Sequence, residues 1–279
     1  NVEQGTASYR SSQSTVRLAG GTTRWPTGSA LTATRSGTSR ISPRIFEAQL
    51  PRLVVRRAAM RPTCSTMKAK IHRGASEVGG SCVELEAEGQ SLLVDVGLPL
   101  ECSDPSTEML PELSPTSRLL GAIISHSHPD HSGLACKLGE EVPIFTGRDT
   151  DEILKVSARY SHFTPPGVTG HFQDGVPFDI GPFKVTPYIV DHSAYDAYSF
   201  VIDAEGRRLF YSGDFRGHGR KSGVFDRMVR CPPTDVDVLL LEGTSVGREA
   251  SGEPDEQAVE SRSAELFKAT KGLVLAMYS

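Results

Sequence analysis

Short runs of apolar residues, separated by glycine-containing turns, follow one another from residue 67 onward. Three predicted strands open this region, at residues 68–73, 82–86 and 91–96. Gly79-Gly80 and Glu88-Gly89 mark the chain reversals between these strands. Because turn residues separate each strand from the next, we expect the region to begin with an antiparallel β-meander.

Further apolar runs alternate with helical patterns along the rest of the chain. The run at residues 119–125, LLGAIIS, has the length of a buried strand and ends directly on a cluster of histidines. Later strands are predicted at residues 142–145, 183–190, 198–202, 208–212, 236–241 and 272–278. Helices are predicted at residues 132–138 and 256–270. This order predicts an α/β fold with two sheets and helices on the outside.

The charge of the chain is unevenly distributed. Residues 1–66 contain ten Arg, two Glu and neither Lys nor Asp, which gives a net charge of +8. Residues 67–279 contain 20 basic and 32 acidic side chains, a net charge of −12. Because the first segment is rich in Ser, Thr, Arg and Gly, we expect residues 1–66 to be a disordered or non-native leader. An organelle transit peptide is the alternative interpretation.

The amino-acid composition also indicates where in the cell the protein resides. Of the 279 residues, 38% are hydrophobic, but no apolar run approaches the roughly 18 residues that a membrane span requires. We therefore expect no membrane partner. The five cysteines form no CxxC pair, so neither a disulfide framework nor a cysteine-type zinc site is predicted. This cysteine usage fits a reducing cytoplasm, where we expect the protein to reside.

The sequence SHSHPDHSG gathers four metal-ligand side chains within six residues, at His126, His128, Asp130 and His131. Without a cation, this crowding would leave polar groups desolvated at a high cost in free energy. Imidazole and carboxylate ligands with no thiolate nearby suit Zn²⁺, with Mn²⁺ as the competing ion. On extended backbone His126 and His128 project to the same side. The adjacent Asp130 and His131 point apart, so one loop can serve two ions.

Other predicted strands end on polar side chains that can complete such a site. They are one histidine and three acids, each at or shortly after the end of a predicted strand: Asp95, His192, Asp214 and Glu242. Side chains at strand ends place the chemistry at one rim of a sheet. Acidic residues are also common in turns. Their combination with the HxHxDH sequence favours the ligand interpretation for His192 and Asp214.

At these positions the chain resembles the metallo-β-lactamase superfamily, from about residue 67 to residue 279. The resemblance implies an αββα four-layer sandwich with its metal motifs in the same order along the chain. It implies two zinc ions, the first held by His126, His128 and His192 and the second by Asp130 and His131. Asp214 would bridge the two ions. Asp95 would orient a ligand or the bridging water.

Local motifs narrow the resemblance to the β-CASP nucleases, the ribonuclease J-like branch. These motifs are the glycine-containing segment at residues 76–97, the HS pair after Asp191, SGDFR at residues 212–216 and EGTS at residues 242–245. The resemblance implies a zinc-dependent hydrolase that cleaves phosphodiester bonds of RNA or DNA with two metal ions. Asp95, Asp130 and Glu242 are then the candidate catalytic residues, and Glu242 would mark the start of the inserted β-CASP domain.

We therefore expect three parts in the chain: a leader at residues 1–66, a metallo-β-lactamase domain at residues 67–242, and the start of a β-CASP-like region at residues 243–279. Only 37 residues follow Glu242, and no histidine follows His218. We accordingly expect a C-terminally truncated sandwich whose second metal site lacks a ligand.

Two other functions are compatible with these residues. One is a small-molecule hydrolase of the same superfamily, acting on a lactone, a thioester or a β-lactam, and the other is a catalytically silent interaction subunit. Retention of all six metal-type residues argues against the silent subunit. The absence of an obvious basic stripe argues against a nucleic-acid substrate, because phosphate contacts normally dominate nucleic-acid affinity. The oligomeric state is left open, with a homodimer as one option.

Overall fold

A computed structural model of the protein describes residues 14–17, 66–102, 105–161, 163–244, 246 and 254–273. Its strands are β1 Ser14–Arg17, β2 Lys68–Arg73, β3 Cys82–Ala87, β4 Gln90–Val94, β5 Arg118–Ile123, β6 Ile144–Gly147, β7 Val168–Phe172, β8 Phe178–Ile180, β9 Phe183–Ile189, β10 Tyr198–Ala204, β11 Arg207–Tyr211 and β12 Val238–Leu240. Its α-helices are α1 Pro129–Ser132, α2 Arg148–Ser157, α3 Ser222–Arg230 and α4 Glu256–Ala269. Two 3-10 turns lie at Thr107–Met109 and Ala135–Lys137.

The strands form two sheets. The first has seven strands in the order β1-β2-β3-β4-β5-β6-β7, and the second has five in the order β12-β11-β10-β9-β8. The antiparallel pairing of β2, β3 and β4 confirms the predicted meander. From β4 to β7 the neighbouring strands pair in parallel.

An apolar core lies between the two sheets. Leu85 and Leu92 from the first sheet share this core with Phe200 from the second, and all three side chains are fully buried. Burial of each such side chain contributes roughly 1.5–3 kcal/mol. Leu93, the neighbour of Leu92 on β4, belongs to a different apolar cluster that includes Leu134. Because successive strand residues point to opposite faces, this second cluster covers the outer face of the first sheet.

Helices lie outside both sheets. α2 contacts β6 and β7 of the first sheet. α3 lies over the second sheet, where Val224 and Met228 line a groove together with Tyr188 and Phe210. The order helix, sheet, sheet, helix is the αββα sandwich, which confirms the predicted fold class.

The loops that matter for function leave the sheets at their carboxyl ends. β4 and β5 are parallel neighbours, so Asp95 and the loop that follows β5 emerge at the same edge. In the second sheet β9 and β11 are both antiparallel to β10 and therefore run in the same direction. His192 follows β9 and Asp214 follows β11, so these two side chains also emerge at one edge.

Some elements differ from the prediction. The helix predicted at residues 132–138 is divided, because Leu134 N donates to Val96 O at 2.8 Å instead of continuing the helix. β1, β7, β8, α2 and α3 have no predicted counterpart. The strand predicted at residues 272–278 lies outside the described residues after residue 273.

Most of the predicted leader lies outside the described residues. β1 is an exception, since it pairs antiparallel with β2 and Ser14 lies opposite Ile71. The predicted leader at residues 1–66 includes this strand and stays a prediction. The β-branched residues Thr15 and Val16 favour a strand, and the edge of β2 offers unpaired backbone groups to it.

Candidate metal centre

The loop after β5 is fixed by both sheets. Tyr198 N, at the start of β10, donates to Ser125 O at 3.0 Å. On the other side Gly97 lies against the loop so closely that a Cβ at this position would be 1.8 Å from Asp130 O. Pro129 begins α1, where a missing N–H group costs no helical hydrogen bond.

Three imidazole rings converge where this loop meets the loop after β9. His126 Nε2 and His192 Nε2 each lie 3.1 Å from His128 Nδ1. The three nitrogens lie within 4.8 Å of one another. Only one proton fits between two ring nitrogens 3.1 Å apart, so at least one nitrogen of each such pair carries a lone pair. These lone pairs point to the space between the three rings. This geometry is typical of three imidazoles that share a metal ion.

Burial keeps these imidazoles neutral near pH 7. It lowers the pKa of His126 well below 6.5, and the neighbouring His131 lowers that pKa further. Burial also lowers the pKa of His192 to about 4, although Asp214 opposes the shift. The pKa of His128 is lowered for the same reason. Neutral imidazole is the metal-binding form, so this group has no proton to release.

A second group shares His126 with the first and adds an acidic side chain. His131 Nε2 lies 3.2 Å from Asp214 Oδ1, and candidate ligand atoms of His126, His131 and Asp214 lie within 4.8 Å of one another. The other Asp214 oxygen, Oδ2, lies 3.8 Å from His192 Nε2. Asp214 therefore faces both groups.

Asp130 lies at the margin of the second group. Its Oδ2 is 3.9 Å from His131 Nε2, and its side chain is 19% exposed. Among the described residues it belongs to neither group of converging ligand atoms. The structure thus brings five of the six predicted ligands together and places the sixth beside them.

Asp95 is fully buried behind His131. Its Oδ1 accepts a hydrogen bond from Ser125 N at 2.7 Å, and its Oδ2 accepts from Ser125 Oγ at 2.8 Å and Tyr211 Oη at 2.6 Å. His131 Nδ1 lies 2.7 Å from the same Oδ2. Because a carboxylate only accepts hydrogen bonds, the proton of this contact belongs to His131 Nδ1. Asp95 therefore orients the ring with Nε2 toward Asp214.

His131 is charged near pH 7, unlike the first group. Burial lowers the pKa of His131, but the Asp95 and Asp214 carboxylates outweigh burial and raise it to about 10. Burial alone would raise the pKa of Asp214, but the hydrogen bond with His131 outweighs the effect of burial and holds the pKa of Asp214 below 3.8. The two side chains form an ion pair, so a cation that binds here displaces a proton.

The loops after β9 and β11 are joined to each other. Asp191 Oδ2 accepts from Gly219 N at 2.8 Å, and Asp191 O accepts from Arg216 N at 2.7 Å. This contact links the loop that carries His192 to the loop that carries Asp214. The positions of the two candidate ligands are therefore coupled.

Glu242 supports the loop that carries Asp214. Its Oε1 accepts from Phe215 N at 2.6 Å, and its own N donates to Ser212 Oγ at 2.9 Å. Burial raises the pKa of Glu242. Among the described residues Glu242 belongs to neither group of converging ligand atoms, so its contact with the centre runs through the loop.

Four supporting residues were not predicted: Ser125, Tyr211, Asp191 and Asp196. Ser125 and Tyr211 end or follow apolar strands, a signal they share with the predicted ligands. Asp191 directly precedes His192. Asp196 carries no comparable signal, because its role depends on a contact with Thr150, 46 residues away.

The fold and the two side-chain groups define an αββα protein with a candidate metal centre at its strand ends. The model of the beta-lactamase superfamily domain family matches residues 102–267, more than half of the chain. The chain belongs to this family, which confirms the resemblance drawn from the HxHxDH sequence.

Individual relatives are similar at low identity. Ribonuclease J of Corynebacterium glutamicum is 26% identical over 186 residues, which are 62% of this chain and 26% of that protein. Transcription termination factor FttA of Methanosarcina mazei is 31% identical over 195 residues, 61% of this chain and 30% of that protein. The chain thus spans less than a third of the length of these relatives. Both similarities support the resemblance to the β-CASP branch.

A solved structure shares the fold. It is a protein of unknown function from Enterococcus faecalis that aligns with a TM-score of 0.59 at 22% identity. The alignment covers 69% of this chain and 53% of that chain. At this level of identity the likeness shows the fold alone.

Proposed function

We propose that the protein is a metal-dependent hydrolase that cleaves phosphodiester bonds of RNA with a two-metal centre. The observation that carries the proposal is the position of Asp214, whose two oxygens lie 3.2 Å from His131 Nε2 and 3.8 Å from His192 Nε2. A carboxylate placed in this way can contact one ion with each oxygen. The similarity to ribonuclease J supports RNA as the substrate.

The residues present fit a pair of divalent cations. Three imidazole nitrogens converge, two of them 3.1 Å from the third, with lone pairs available to bind an ion. The first ion would be held by His126, His128 and His192, and the second by Asp130, His131 and the shared Asp214. This set of nitrogen and oxygen ligands suits Zn²⁺, with Mn²⁺ as the competing ion.

A pair of bound divalent ions lowers the pKa of water and neutralises charge on a phosphate. The residues of the chain supply the positioning. Asp95 keeps the proton on His131 Nδ1, so Nε2 faces the centre. Glu242 holds the backbone of Phe215 and thereby the loop that carries Asp214. We propose that Asp130, as a ligand, acts directly and that Asp95 and Glu242 act as positioning residues.

A nucleic-acid substrate requires positive charge near the centre, because contacts to phosphate groups supply most of the affinity. Residues 67–279 carry a net charge of −12, so this charge has to be local. The segment RGHGRK at residues 216–221, two residues after Asp214, contains three basic side chains and no acid. Arg216 and Arg220 are paired with Glu256 and Glu260, so we propose that Lys221 is the basic side chain of this segment that attracts the RNA backbone.

We propose that residues 67–242 form the metal-binding domain and that residues 243–279 begin a β-CASP-like region. In support of this boundary, β12 ends at Leu240, two residues before Glu242. The leader at residues 1–66 and the homodimer stay predictions.

We propose the cytoplasm as the location. In the part of the chain that the structure describes, no helix combines the length and apolar character needed to cross a membrane. Among the described residues, four cysteines are free thiols: Cys82, Cys102, Cys136 and Cys231. Free thiols are typical of a reducing compartment.

Cleavage of labelled single-stranded RNA by the purified chain tests the proposed function. With Zn²⁺ or Mn²⁺ we expect fragments whose formation stops on addition of a chelator and resumes when metal is restored. Asp214→Asn removes the shared carboxylate charge and should abolish cleavage. Asp179→Asn makes the same change at an exposed position on β8 and should leave cleavage unchanged.

A small-molecule substrate is the competing outcome. Hydrolysis of a lactone or of nitrocefin that is sensitive to chelator, with RNA left intact, would overturn the proposal. Cleavage of RNA that persists in Asp214→Asn would also contradict it, because the activity would then not depend on this centre.

A further inference from the structure

An exposed aromatic side chain lies on the loop that carries the candidate ligand His192. Tyr195 is 66% exposed and follows the candidate ligand His192 by three residues. Because most of the ring is exposed to solvent, burial of its apolar surface contributes little to the stability of the fold. Single exposed aromatic residues are common, so exposure alone assigns no role to Tyr195.

The loop that presents Tyr195 is held in place by its neighbour Asp196. Asp196 is 6% exposed, and its Oδ2 accepts from Thr150 N at 3.0 Å, while Thr150 Oγ1 donates to Asp196 O at 2.7 Å. α2 has a glycine, Gly147, at its N-cap, so Asp196 satisfies the first helical turn from a distant segment. A ring on a fixed loop loses little conformational entropy when it binds a ligand.

A cation lies over the Tyr195 ring. Lys221 Nζ is 5.5 Å from the ring centroid, within the range of a cation–π contact, and it also donates to the backbone oxygen of Tyr195. Lys221 belongs to the basic segment after Asp214. The two loops that carry His192 and Asp214 therefore contribute one aromatic ring and one ammonium group to the same patch.

Charge differs on the two sides of the ring. A shallow groove between Tyr195 and α2 is lined by the acidic residues Asp149 and Glu152. A phosphate group is repelled from that side and attracted to the side of Lys221. The patch therefore favours a ligand with a flat ring and an adjacent phosphate, oriented with the phosphate toward Lys221.

We propose that Tyr195 and Lys221 form a platform for one nucleotide of single-stranded nucleic acid, with the base stacked on Tyr195 and the phosphate beside Lys221. This inference rests on the proposed nucleic-acid substrate and names a subsite for it. Stacking on an aromatic ring accepts any base, because every base has a π face. The platform therefore contributes affinity without sequence specificity.

Binding of a short fluorescently labelled oligouridine to the full 279-residue chain, followed by anisotropy in the presence of chelator, tests the platform without cleavage. We expect Tyr195→Ala to weaken binding by about 5- to 150-fold, the range for loss of one stacked base. Tyr195→Phe keeps the ring and should bind within about twofold of the wild type. Lys221→Ala should weaken binding and lower the slope of log K against log salt by about one.

Tyr160→Ala is the matched control, since Tyr160 is 87% exposed and lies after α2. It should bind like the wild type. Equal binding by Tyr195→Ala and the wild type overturns the platform, and so does an equal loss in Tyr160→Ala. Thermal unfolding of each variant separates lost stacking from lost folding, with Tyr195→Phe as the folded reference.

Failure of the platform and failure of the proposed hydrolase give different results. A wild type that binds RNA through Tyr195 but cleaves none supports the platform and contradicts the hydrolase. A wild type that cleaves RNA with the same KM and binds oligouridine with the same affinity as Tyr195→Ala contradicts the platform alone. An oligodeoxyuridine of the same length shows whether the platform distinguishes RNA from DNA.

Discussion

The two side-chain groups of the candidate metal centre use the same ring in opposite electrostatic settings. His126 and His131 are 0% and 2% exposed, so burial disfavours the charged form of both. The pKa of His126 is nevertheless lowered, whereas that of His131 is raised to about 10. The difference lies in the carboxylates of Asp95 and Asp214, which face His131. Neighbouring charge, and not depth of burial, decides the protonation state here.

The two groups therefore differ in whether a proton has to leave before a cation can bind. The first group, with His126, His128 and His192, presents neutral imidazoles near pH 7. The second group has to release a proton from His131 before that nitrogen can bind metal. We therefore expect the first group to fill before the second at neutral pH.

Loss of a ligand from the first group has the largest expected effect. His192→Ala leaves two imidazoles in that group, so we expect one metal equivalent to be lost and RNA cleavage to fall to background. Metal analysis of the dialysed protein and the RNA assay measure both. His171→Ala, which removes a histidine paired with Asp151 at 2.8 Å, should retain metal and activity. Full metal content in His192→Ala would exclude the first group as the site.

A change of pH should affect the two groups differently. Because the pKa of His131 is about 10, the ring is protonated below that pH and one proton leaves when metal binds. Affinity for the second ion should rise about tenfold per pH unit, or about 100-fold from pH 7 to pH 9, while the first ion shows no such slope. Competition with a chromophoric chelator measures both affinities. Equal slopes for the two ions would remove the distinction between the groups.

Asp95→Asn should weaken the second ion selectively. The substitution removes the carboxylate charge that orients the His131 ring and raises its pKa. Loss of such a hydrogen-bond partner from a metal ligand lowers metal affinity by about 10- to 100-fold. It should also flatten the pH slope of the second ion, because the pKa of His131 falls. Tyr211→Phe, which removes one donor to the same carboxylate, should cause a smaller loss. An unchanged pH slope in Asp95→Asn would contradict the assigned role of that residue.

The smallest effect concerns the loop beside the centre. Asp196→Ala removes the acceptor for Thr150 N, and we expect the free energy of unfolding to fall by about 1 kcal/mol. Asp255→Ala removes the in-sequence cap of α4, which buries no residue, and should change global unfolding less. Urea unfolding of both variants measures the difference. Equal effects would show that the Asp196 contact does not stabilise the sandwich.

The strands of the sandwich were predictable where apolar runs are bounded by clear turns, as for β2, β9 and β11. β7 was not predicted, because its sequence VTGHF contains glycine and histidine and shows little alternation. α2 was not predicted either. Its N-cap is a glycine, and the group that satisfies its first turn comes from Asp196, far along the chain. Contacts between distant segments leave no local pattern in the sequence.

The candidate ligands were predictable because the HxHxDH sequence and the strand ends are local features. The division into a neutral and a charged group was not. It depends on Asp95, His131 and Tyr211 meeting in one buried place, and Tyr211 lies 116 residues from Asp95 along the chain. The position of a polar residue at the end of a predicted strand identifies each candidate ligand, but it does not give the distances between the ligands.

The ligand-bearing loops come from both sheets, with His126 and His131 after β5 and His192 and Asp214 after β9 and β11. An ion held by these residues would cross-link the two layers. Its binding free energy therefore adds to the free energy that keeps the layers docked, in proportion to the logarithm of the free metal concentration. The concentration of free metal in the cell would then affect the stability of the folded sandwich as well as its activity.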